Sequence, residues 1–598
     1  MRRSRSYVQG AVSSVSMRRN KFDLSHGVKT SLSVGTLVPI DVQEVLPGDT
    51  FSMHETHVVR LTSSYLRPVM DNCWLDTYSF FVPLRLLYDD AESVFGVAEP
   101  SEYVDSELAE FPVTTEASTV SPGSIADYMG LPVTPSGSTK KLPKGINILP
   151  FRAFAMIYNE WFRNENVQQS VFVQKGEFSD TEVFNGDEWS QTNYTGMPPK
   201  ITKKKDYFTS CLPAPQKGDP VSLALGKEAP IKGQADVTIP DNTIRLGNAA
   251  PGSGSFGDNF FNPIWYNSDG NPFSFQSGLG VNFTGGGGRT FAGDGVSIKS
   301  PELAYLLLSN RNAEPFPIDL GSLGAYADLS STGVISVNDL RFAFQLQKMY
   351  EKDARYGTRY REYLLGHFGV SNADARMQVP EFLGGHRTPL GTQAVTQTSA
   401  QSTQGTPSAG LGGTPLGTLG GMSHSVGKSR YVKSFTEHGY VITVAAIRQL
   451  HTYQQGIEKF WSRKERNDFY DPLFANLGEQ PVYDYQLYGF QSAGAALGDG
   501  DVFGYNEYGA EYRYRPSYIT GQLRTGVENS LDIYHFGDYY ENAPTLSPKF
   551  INESPEYFDR TVAVPSSSQD NFILDFWFDV KAVRVMPLYS IPGLIDHH

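Results

Sequence analysis

Two clusters in which arginine alternates with tyrosine hold the residues best suited to chemistry. One is Arg355, Tyr356, Arg359, Tyr360 and Arg361; the other is Tyr512, Arg513, Tyr514, Arg515, Tyr518 and Arg524. A guanidinium grips phosphate through two parallel hydrogen bonds, and an aromatic face stacks on an unpaired base. Together they could bind single-stranded nucleic acid loosely. The same residues suit a protein–protein interface, where arginine packs on tyrosine, and that reading weighs somewhat more. A third basic feature lies at the N-terminus. The first 22 residues contain Arg2, Arg3, Arg5, Arg18, Arg19 and Lys21 and no acid, so they carry +6 while the rest of the chain carries −20 of the net −14. Such a segment is either a solvated end or an arm that neutralises phosphate.

Other motifs do not complete their chemistry. Gly421–Ser429 (GMSHSVGKS) resembles a phosphate-binding loop, but five residues separate its glycines where the motif needs four, and no apolar strand precedes it. His54-Glu55-Thr56-His57 lacks the helical zinc spacing, and in a strand its two histidines would face opposite sides. The two cysteines, Cys73 and Cys211, are too few for a structural zinc site without added histidines at ligand spacing, and free thiols are expected. None of the 64 acidic residues sits in a recognisable catalytic frame. No enzyme activity, metal or cofactor is therefore expected.

The elements that must position these residues are mainly β. With 58 glycines, 37 prolines, 13% aromatic and only 19% charged residues, the chain favours strands joined by long, aromatic-pinned loops. Its 598 residues exceed what one compact core usually holds, so either several domains or large insertions follow. From Phe51 to Leu61 apolar and polar residues alternate, the period of a strand with one buried face, and Pro47-Gly48-Asp49 before it reads as a turn. From Cys73 to Val82 both faces are apolar, with Trp74, Tyr78, Phe80 and Val82 opposite Leu75 and Phe81, so this strand should be central. Asn571–Met586 is the strongest strand signal, with Phe572, Leu574, Phe576, Phe578, Val580 and Ala582 on one face. Strands at both ends of so long a chain predict a sandwich closed by non-local pairing.

Between these strands, 89–145 reads as irregular loop with a short helix. Phe151, Phe154, Ala155, Tyr158 and Phe162 give one aromatic helical face, to be packed on the sandwich. From 221 to 330 helical patterns fade. Twelve glycines fall between Pro251 and Val296, interleaved with Phe260, Phe261, Trp265, Tyr266, Phe273 and Phe275. Flexible linkers lack such aromatics, so an ordered excursion is expected. Asn338–Phe368 reads as helix capped by Asn338, with Leu340, Ala343 and Phe344 opening a face, support from Glu351 and Arg355, and a break at Gly357. Gly384–Gly427 is a second glycine-rich stretch, and Ser429–Leu450 holds a strand with Tyr440, Ile442 and Val444 on one face. No apolar run approaches the ~20 residues of a membrane helix, and the N-terminus has charge but no apolar signal core.

Several stretches, taken in order, resemble the major capsid protein of the Microviridae, specifically its gokushovirus-like branch. They are KFDLSHGVKT (Lys21–Thr30), LVPIDVQEVLPGDTF (Leu37–Phe51), MDN (Met70–Asn72), FFVPLRL (Phe80–Leu86), LPFRAFAMIYNEWFRNENVQ (Leu149–Gln168), DYFTSCLPAPQKG (Asp206–Gly218), LRFAFQLQKMYEKDARYGTRY (Leu340–Tyr360), HFGVSNADAR (His367–Arg376), PEFLGG (Pro380–Gly385) and EYRYRPSYITG (Glu511–Gly521). The chain departs from the family at Leu24, where arginine is usual, at Tyr356, where glycine is, and at Asn372-Ala373, which replaces a Ser-Pro type turn.

The resemblance implies a single eight-stranded antiparallel jelly roll with long insertions and a few helices. It implies self-assembly through pentamer and trimer contacts into the smallest icosahedral (T=1) shell around circular single-stranded DNA, with minor virion proteins and a host surface receptor as further partners. No membrane insertion is expected, and assembly would take place in the cytoplasm of the bacterial host. On this reading 1–34 is a basic arm, 35–220 the first part of the jelly roll with an inserted helix, and 221–330 a surface insertion forming a host-facing threefold protrusion. Residues 331–598 hold a helical insertion, a glycine-rich loop and the rest of the jelly roll. The basic residues of the arm and of the two Arg/Tyr clusters are the candidates for DNA contact, and the six aromatics of the insertion for the host-facing surface. A secreted carbohydrate-binding or carbohydrate-cleaving β-sandwich is the alternative, suggested by aromatic loops and weakened by the missing export signal.

Overall fold

The organising strands form where the alternation places them. In the computed structural model, which describes residues 18–96, 109–177, 184, 186–221, 231–233, 265–266, 272–273, 325–327, 337–396, 398, 417–490, 497 and 501–589, the chain begins with β1 (Asn20–Asp23), β2 (His26–Leu32), β3 (Leu37–Val45), β4 (Thr50–Leu61) and β5 (Cys73–Pro83). Phe51, Met53, Glu55, His57 and Val59 of β4 are buried, as the period of two requires. The predicted turn is present before β4. Gly48 takes a φ of +88°, and the buried Asp49 accepts from the Leu46 N–H at 3.0 Å and from the Arg584 guanidinium at 3.0 Å.

Short helices α1 (Ala91–Val94) and α2 (Ile125–Tyr128) lie in the expected irregular region, and α3 (Leu149–Ile157) continues as a π-helical turn over Tyr158–Phe162. The 221–330 region contributes β6 (Ile231–Gly233), which pairs with β9 (Ala325–Ala327), and the hairpin of β7 (Trp265–Tyr266) and β8 (Pro272–Phe273). The chain divides into two compact units: Pro220–Gln347, and the remainder made of Met1–Asp219 with Lys348–His598. Helix α4 (Val337–Tyr356) is followed by α5 (Tyr360–Phe368) and α6 (Asp374–Met377), with the break at Gly357, whose φ is +97°. Asn338 lies inside the first turn of α4 rather than capping it, because the helix starts one residue earlier. Of its expected face, Ala343 is buried while Leu340 and Phe344 stay exposed.

The later strands are β10 (Glu381–Pro389), β11 (Thr392–Thr396), β12 (Leu419–Ser434), β13 (Gly439–Gln449), the small hairpin β14 (Gln480–Tyr483) and β15 (Val502–Asn506), and finally β16 (Phe572–Arg584). The molecule is mainly β, with antiparallel sheets forming a sandwich. One sheet has the order β1-β16-β4-β12-β11, with β2 also on β16; the other has the order β10-β5-β13-β3. The expected terminal pairing is direct: β16 runs antiparallel to β4 with Phe572 opposite Leu61 and Val583 opposite Thr50. Among the described residues six strands face four, where the family resemblance implied eight in all. The difference comes partly from β1 and β2, which lengthen the sheet beyond β16. Their side chains alternate between half-buried and exposed, so they leave no apolar period in the sequence. The glycine-rich 384–427 stretch likewise holds parts of β10 and β12 and all of β11, and the loop-like Gly421–Ser429 motif is the middle of β12.

Between the sheets lies one core, built from Phe51, Met53, Leu75, Phe81, Val441 and the even-numbered face of β16. A second core covers the outer face of the four-stranded sheet, where Phe80, Val82, Ile442 and Val444 meet Phe151, Phe154, Tyr158 and Phe162. Strand β5 is therefore buried on both faces, and the aromatic helix does pack on the sandwich. A third core joins Tyr207, Phe208, Tyr453, Phe503 and Phe550. Cys73 and Cys211 are free, buried and in different cores.

Candidate nucleic-acid and assembly interface

Each Arg/Tyr cluster is built by a local break in the backbone. In the first, Gly357 ends α4 with a positive φ that other residues adopt only under strain. Tyr360 and Arg361 then open α5. The guanidinium groups turn inward from this corner. Arg355 donates to Glu479 at 2.9 and 2.5 Å. Arg359, mostly covered, donates to Glu362 at 3.1 Å and to the carbonyls of Asn159 and Arg163 at 2.8 and 3.1 Å. Arg361 stacks over Trp161 at 4.4 Å and approaches Asp374 at 3.7 Å. The cluster thus clamps the α4–α5 corner onto the end of the aromatic α3 segment. Tyr356 and Tyr360 remain exposed.

The second cluster follows Gly509, whose φ of +76° turns the chain into the short helix α7 (Ala510–Arg513). Arg513 pairs with Glu507, and Arg515 donates to Glu458 at 2.9 Å while lying over the Tyr518 ring at 5.3 Å. Arg463 covers Tyr512 at 4.7 Å and approaches Glu511 at 3.4 Å, as does Lys459. These side chains border an open groove of about 290 Å³ with Phe208, Phe460 and Tyr514. Arg524 is exposed and has no side-chain ion pair among the described residues. Five of the six cluster arginines therefore face a carboxylate of their own chain. Arginine–carboxylate forks use the same geometry as arginine–phosphate forks, so phosphate would have to compete for them.

A buried ionic network, which sequence reading missed, fixes the second cluster from behind. Asp538 receives Lys203 at 3.1 Å, Tyr540 at 2.8 Å and His451 Nδ1 at 2.8 Å, and His451 Nε2 lies 3.0 Å from Glu553. Tyr453 donates to Asp206 at 2.6 Å. Burial by itself would lower the His451 pKa, but Asp538 and Glu553 overcome it and raise the pKa to about 9. Burial opposes ionisation of Asp538 too, yet His451 and Lys203 hold its carboxyl below the usual range. The backbone beside His451 carries the order outward: Tyr453 N–H donates to the Ser517 carbonyl at 2.9 Å, and Ile519 N–H donates to Tyr453 at 3.0 Å, with Tyr518 between them. Its members come from three separate stretches of chain, so no local motif could announce them.

The remaining candidates divide by position. Arg18, Arg19 and Lys21 are exposed at the start of β1. Arg2, Arg3, Arg5, Phe260, Phe261 and Phe275 lie outside the described residues, and Trp265, Tyr266 and Phe273 fall on the β7–β8 hairpin. Among the described residues no cluster of histidine, cysteine, aspartate and glutamate is arranged to hold a metal, and no helix is long and apolar enough to cross a membrane.

Much apolar surface is left open. Helix α5 buries none of its residues, and Tyr360, Leu365 and Phe368 are each more than half exposed. Trp461, Leu473 and Leu477 are exposed on the segment that adjoins the second cluster. Aromatic and aliphatic side chains left uncovered together on one helix are suited to contact with other proteins.

Comparison with known proteins agrees with this picture. Residues 10–594 match the family model described as capsid protein (F protein). The chain is 38% identical to capsid protein VP1 of Chlamydia phage 1, across 98% of this chain and 97% of that protein. It is 36% identical to capsid protein VP1 of Bdellovibrio phage phiMH2K, across 97% and 96%, and 35% identical to that of Spiroplasma virus 4, across 96% and 95%.

Proposed function

Since the chain belongs to the phage capsid protein (F protein) family, in the gokushovirus-like Microviridae, we propose that it builds a closed T=1 icosahedral shell around circular single-stranded DNA. It is a structural major capsid protein of the virion and not an enzyme. The observation that carries the proposed assembly is the uncovered α5 helix, which adds no buried residue to the three cores seen among the described residues. A monomer would leave that surface in water at a cost of roughly 25 cal/mol per Å² of apolar area. Copies of the same chain, meeting around fivefold and threefold axes, would cover it.

Enclosure of DNA rests on the basic arm. An acidic chain opposes a polyanion unless its positive charge is gathered on the inner side. The arm gathers +6 at one end, and Arg18, Arg19 and Lys21 leave it beside the sheet. The insertion at 221–330, with Trp265, Tyr266 and Phe273 on its hairpin and Phe260, Phe261 and Phe275 also in its sequence, is proposed as the threefold protrusion that meets a host receptor. Minor virion proteins complete the particle, which is assembled in the host cytoplasm. Electron microscopy of the purified protein after nuclease treatment tests the whole reading. Closed small particles retaining protected DNA are expected. A stable monomer, with DNA and viral partners supplied, would overturn it.

A further inference from the structure

We infer that the open face of the six-stranded sheet is a second binding surface for single-stranded nucleic acid, in which Arg60, Lys428 and Arg430 meet phosphates and Trp577 stacks on a base. The inference rests on the DNA-enclosing reading above and names a surface apart from the arm and the two Arg/Tyr clusters.

The face follows from register. One side of β4, β12 and β16 supplies the core, so the alternate residues point away from it. Across these strands Trp577 lies opposite Thr56 and Thr56 opposite Lys428; in the next row stand Asp579, His54 and Arg430. Two rows on the other side of Trp577, Ile573, Arg60 and His424 line up. Neighbouring strands are about 4.8 Å apart and alternate residues about 6.7 Å, so Trp577 and the three cations fit within a patch of roughly 10 by 20 Å.

Charge on this face is unbalanced in a chain that is acidic overall. Its three strand carboxylates are all engaged: Asp575 with Lys29 at 3.2 Å, Asp579 with Lys581 at 3.0 Å, and Asp23 with Lys581 at 2.5 Å. Arg60, Lys428 and Arg430 are exposed and have no side-chain ion pair or hydrogen bond among the described residues, in contrast to the paired arginines of the two clusters. Holding unpaired cations side by side is unfavourable unless an anion joins them. Trp577 is 53% exposed, although its strand is flanked by β2 on one side and β4 on the other. Its neighbour on β2 is Gly27, and a Cβ there would lie 3.4 Å from the indole. The missing side chain leaves the ring open on its β2 side, with Lys428 two strands away across Thr56. An open aromatic ring among unpaired cations is the combination that holds a single strand without reading its sequence. The basic arm enters the same sheet, with Asn20 of β1 opposite Arg584 of β16, so a strand held by the arm can continue onto this face.

The test uses the full-length chain and fluorescein-labelled oligo(dT) of about 16 nucleotides, followed by anisotropy over a salt series. Replacing Arg60, Lys428 and Arg430 together by glutamine should lower the slope of log affinity against log salt by about 2, since each single-strand phosphate contact contributes about 0.7. Trp577→Leu should weaken binding roughly ten-fold with little change in slope. The exchange Lys428→Arg with Arg430→Lys should keep the wild-type slope and separates lost charge from lost folding. Wild-type slope and affinity in the triple and Trp577→Leu variants, while removal of 1–17 weakens binding, would overturn this inference and leave the capsid reading intact. Normal oligonucleotide binding with lost particle assembly would assign the face to a contact between copies and also overturn it. No binding by the intact chain would remove the DNA-enclosing reading itself, and this inference with it.

Discussion

The connection Glu55–His57–Thr388 shows why residue types alone do not make a catalyst. His57 Nδ1 lies 2.8 Å from Glu55 and its Nε2 lies 2.9 Å from the Thr388 hydroxyl, the order of an acid, a histidine and a hydroxyl nucleophile. All three are almost fully buried, so no substrate reaches them. Their work is structural, since Thr388 belongs to β10 of one sheet and His57 to β4 of the other. Replacing His57 by alanine would leave Glu55 buried without its partner, and a loss of about 3 kcal/mol is expected, measured by denaturant unfolding of the unassembled chain. The His451 network makes a pH-dependent prediction. Its folded pKa of about 9 exceeds the ordinary value of 6.5, so its contribution to stability is full below about pH 6.5 and is lost as pH rises through 9. Melting temperature should fall between pH 7 and 9.5, and His451→Gln should flatten that part of the profile. A depressed Asp538 acts in the opposite sense, contributing above the ordinary carboxyl value and failing only as pH falls below it.

At the scale of elements, β12 teaches the most. Its sequence, LGGMSHSVGKSRYVKS, carries few apolar residues because its inner side is mostly glycine and serine, with Tyr431 reaching the core. Gly427 is required there. A Cβ at that position would collide with Thr388 Oγ1 and His57 Nε2, so the glycine that imitates a phosphate-binding loop instead makes room for the link between sheets. Gly427→Ala should destabilise by about 1–3 kcal/mol through overpacking, read as an earlier unfolding midpoint at unchanged slope. The strands with a full apolar face, β4, β5, β13 and β16, were all legible, as was the aromatic helix α3. Strands β1, β2, β10, β11 and β12 were not, because they are edge-proximal or half-exposed and borrow their order from neighbours. The Arg/Tyr clusters were also found, but their ion pairs were not, since Glu479 is 124 residues from Arg355.

For the whole molecule, charge and uncovered surface set the expectations. Removing residues 1–17, which stops short of β1, should leave the melting temperature unchanged and reduce the yield of DNA-filled particles; normal yields would separate the arm from packaging. Shortening 251–296 should preserve particle assembly and reduce attachment to host cells, while loss of the folded sandwich would make the excursion part of the core instead.

The sequence by itself determined the β character of this protein, its buried central strand, the closure of the first sheet by the last strand, and its capsid family. These follow from side-chain period and from ordered motifs, which are local properties repeated along the chain. Only the tertiary structure decided which polar groups meet. The pairing of His451 with Asp538 and Glu553, the neutralisation of the clustered arginines, and the unpaired cations around Trp577 all join residues far apart in the chain. Electrostatic and hydrogen-bond energies depend on distances of a few ångströms in space, and sequence separation carries no record of them.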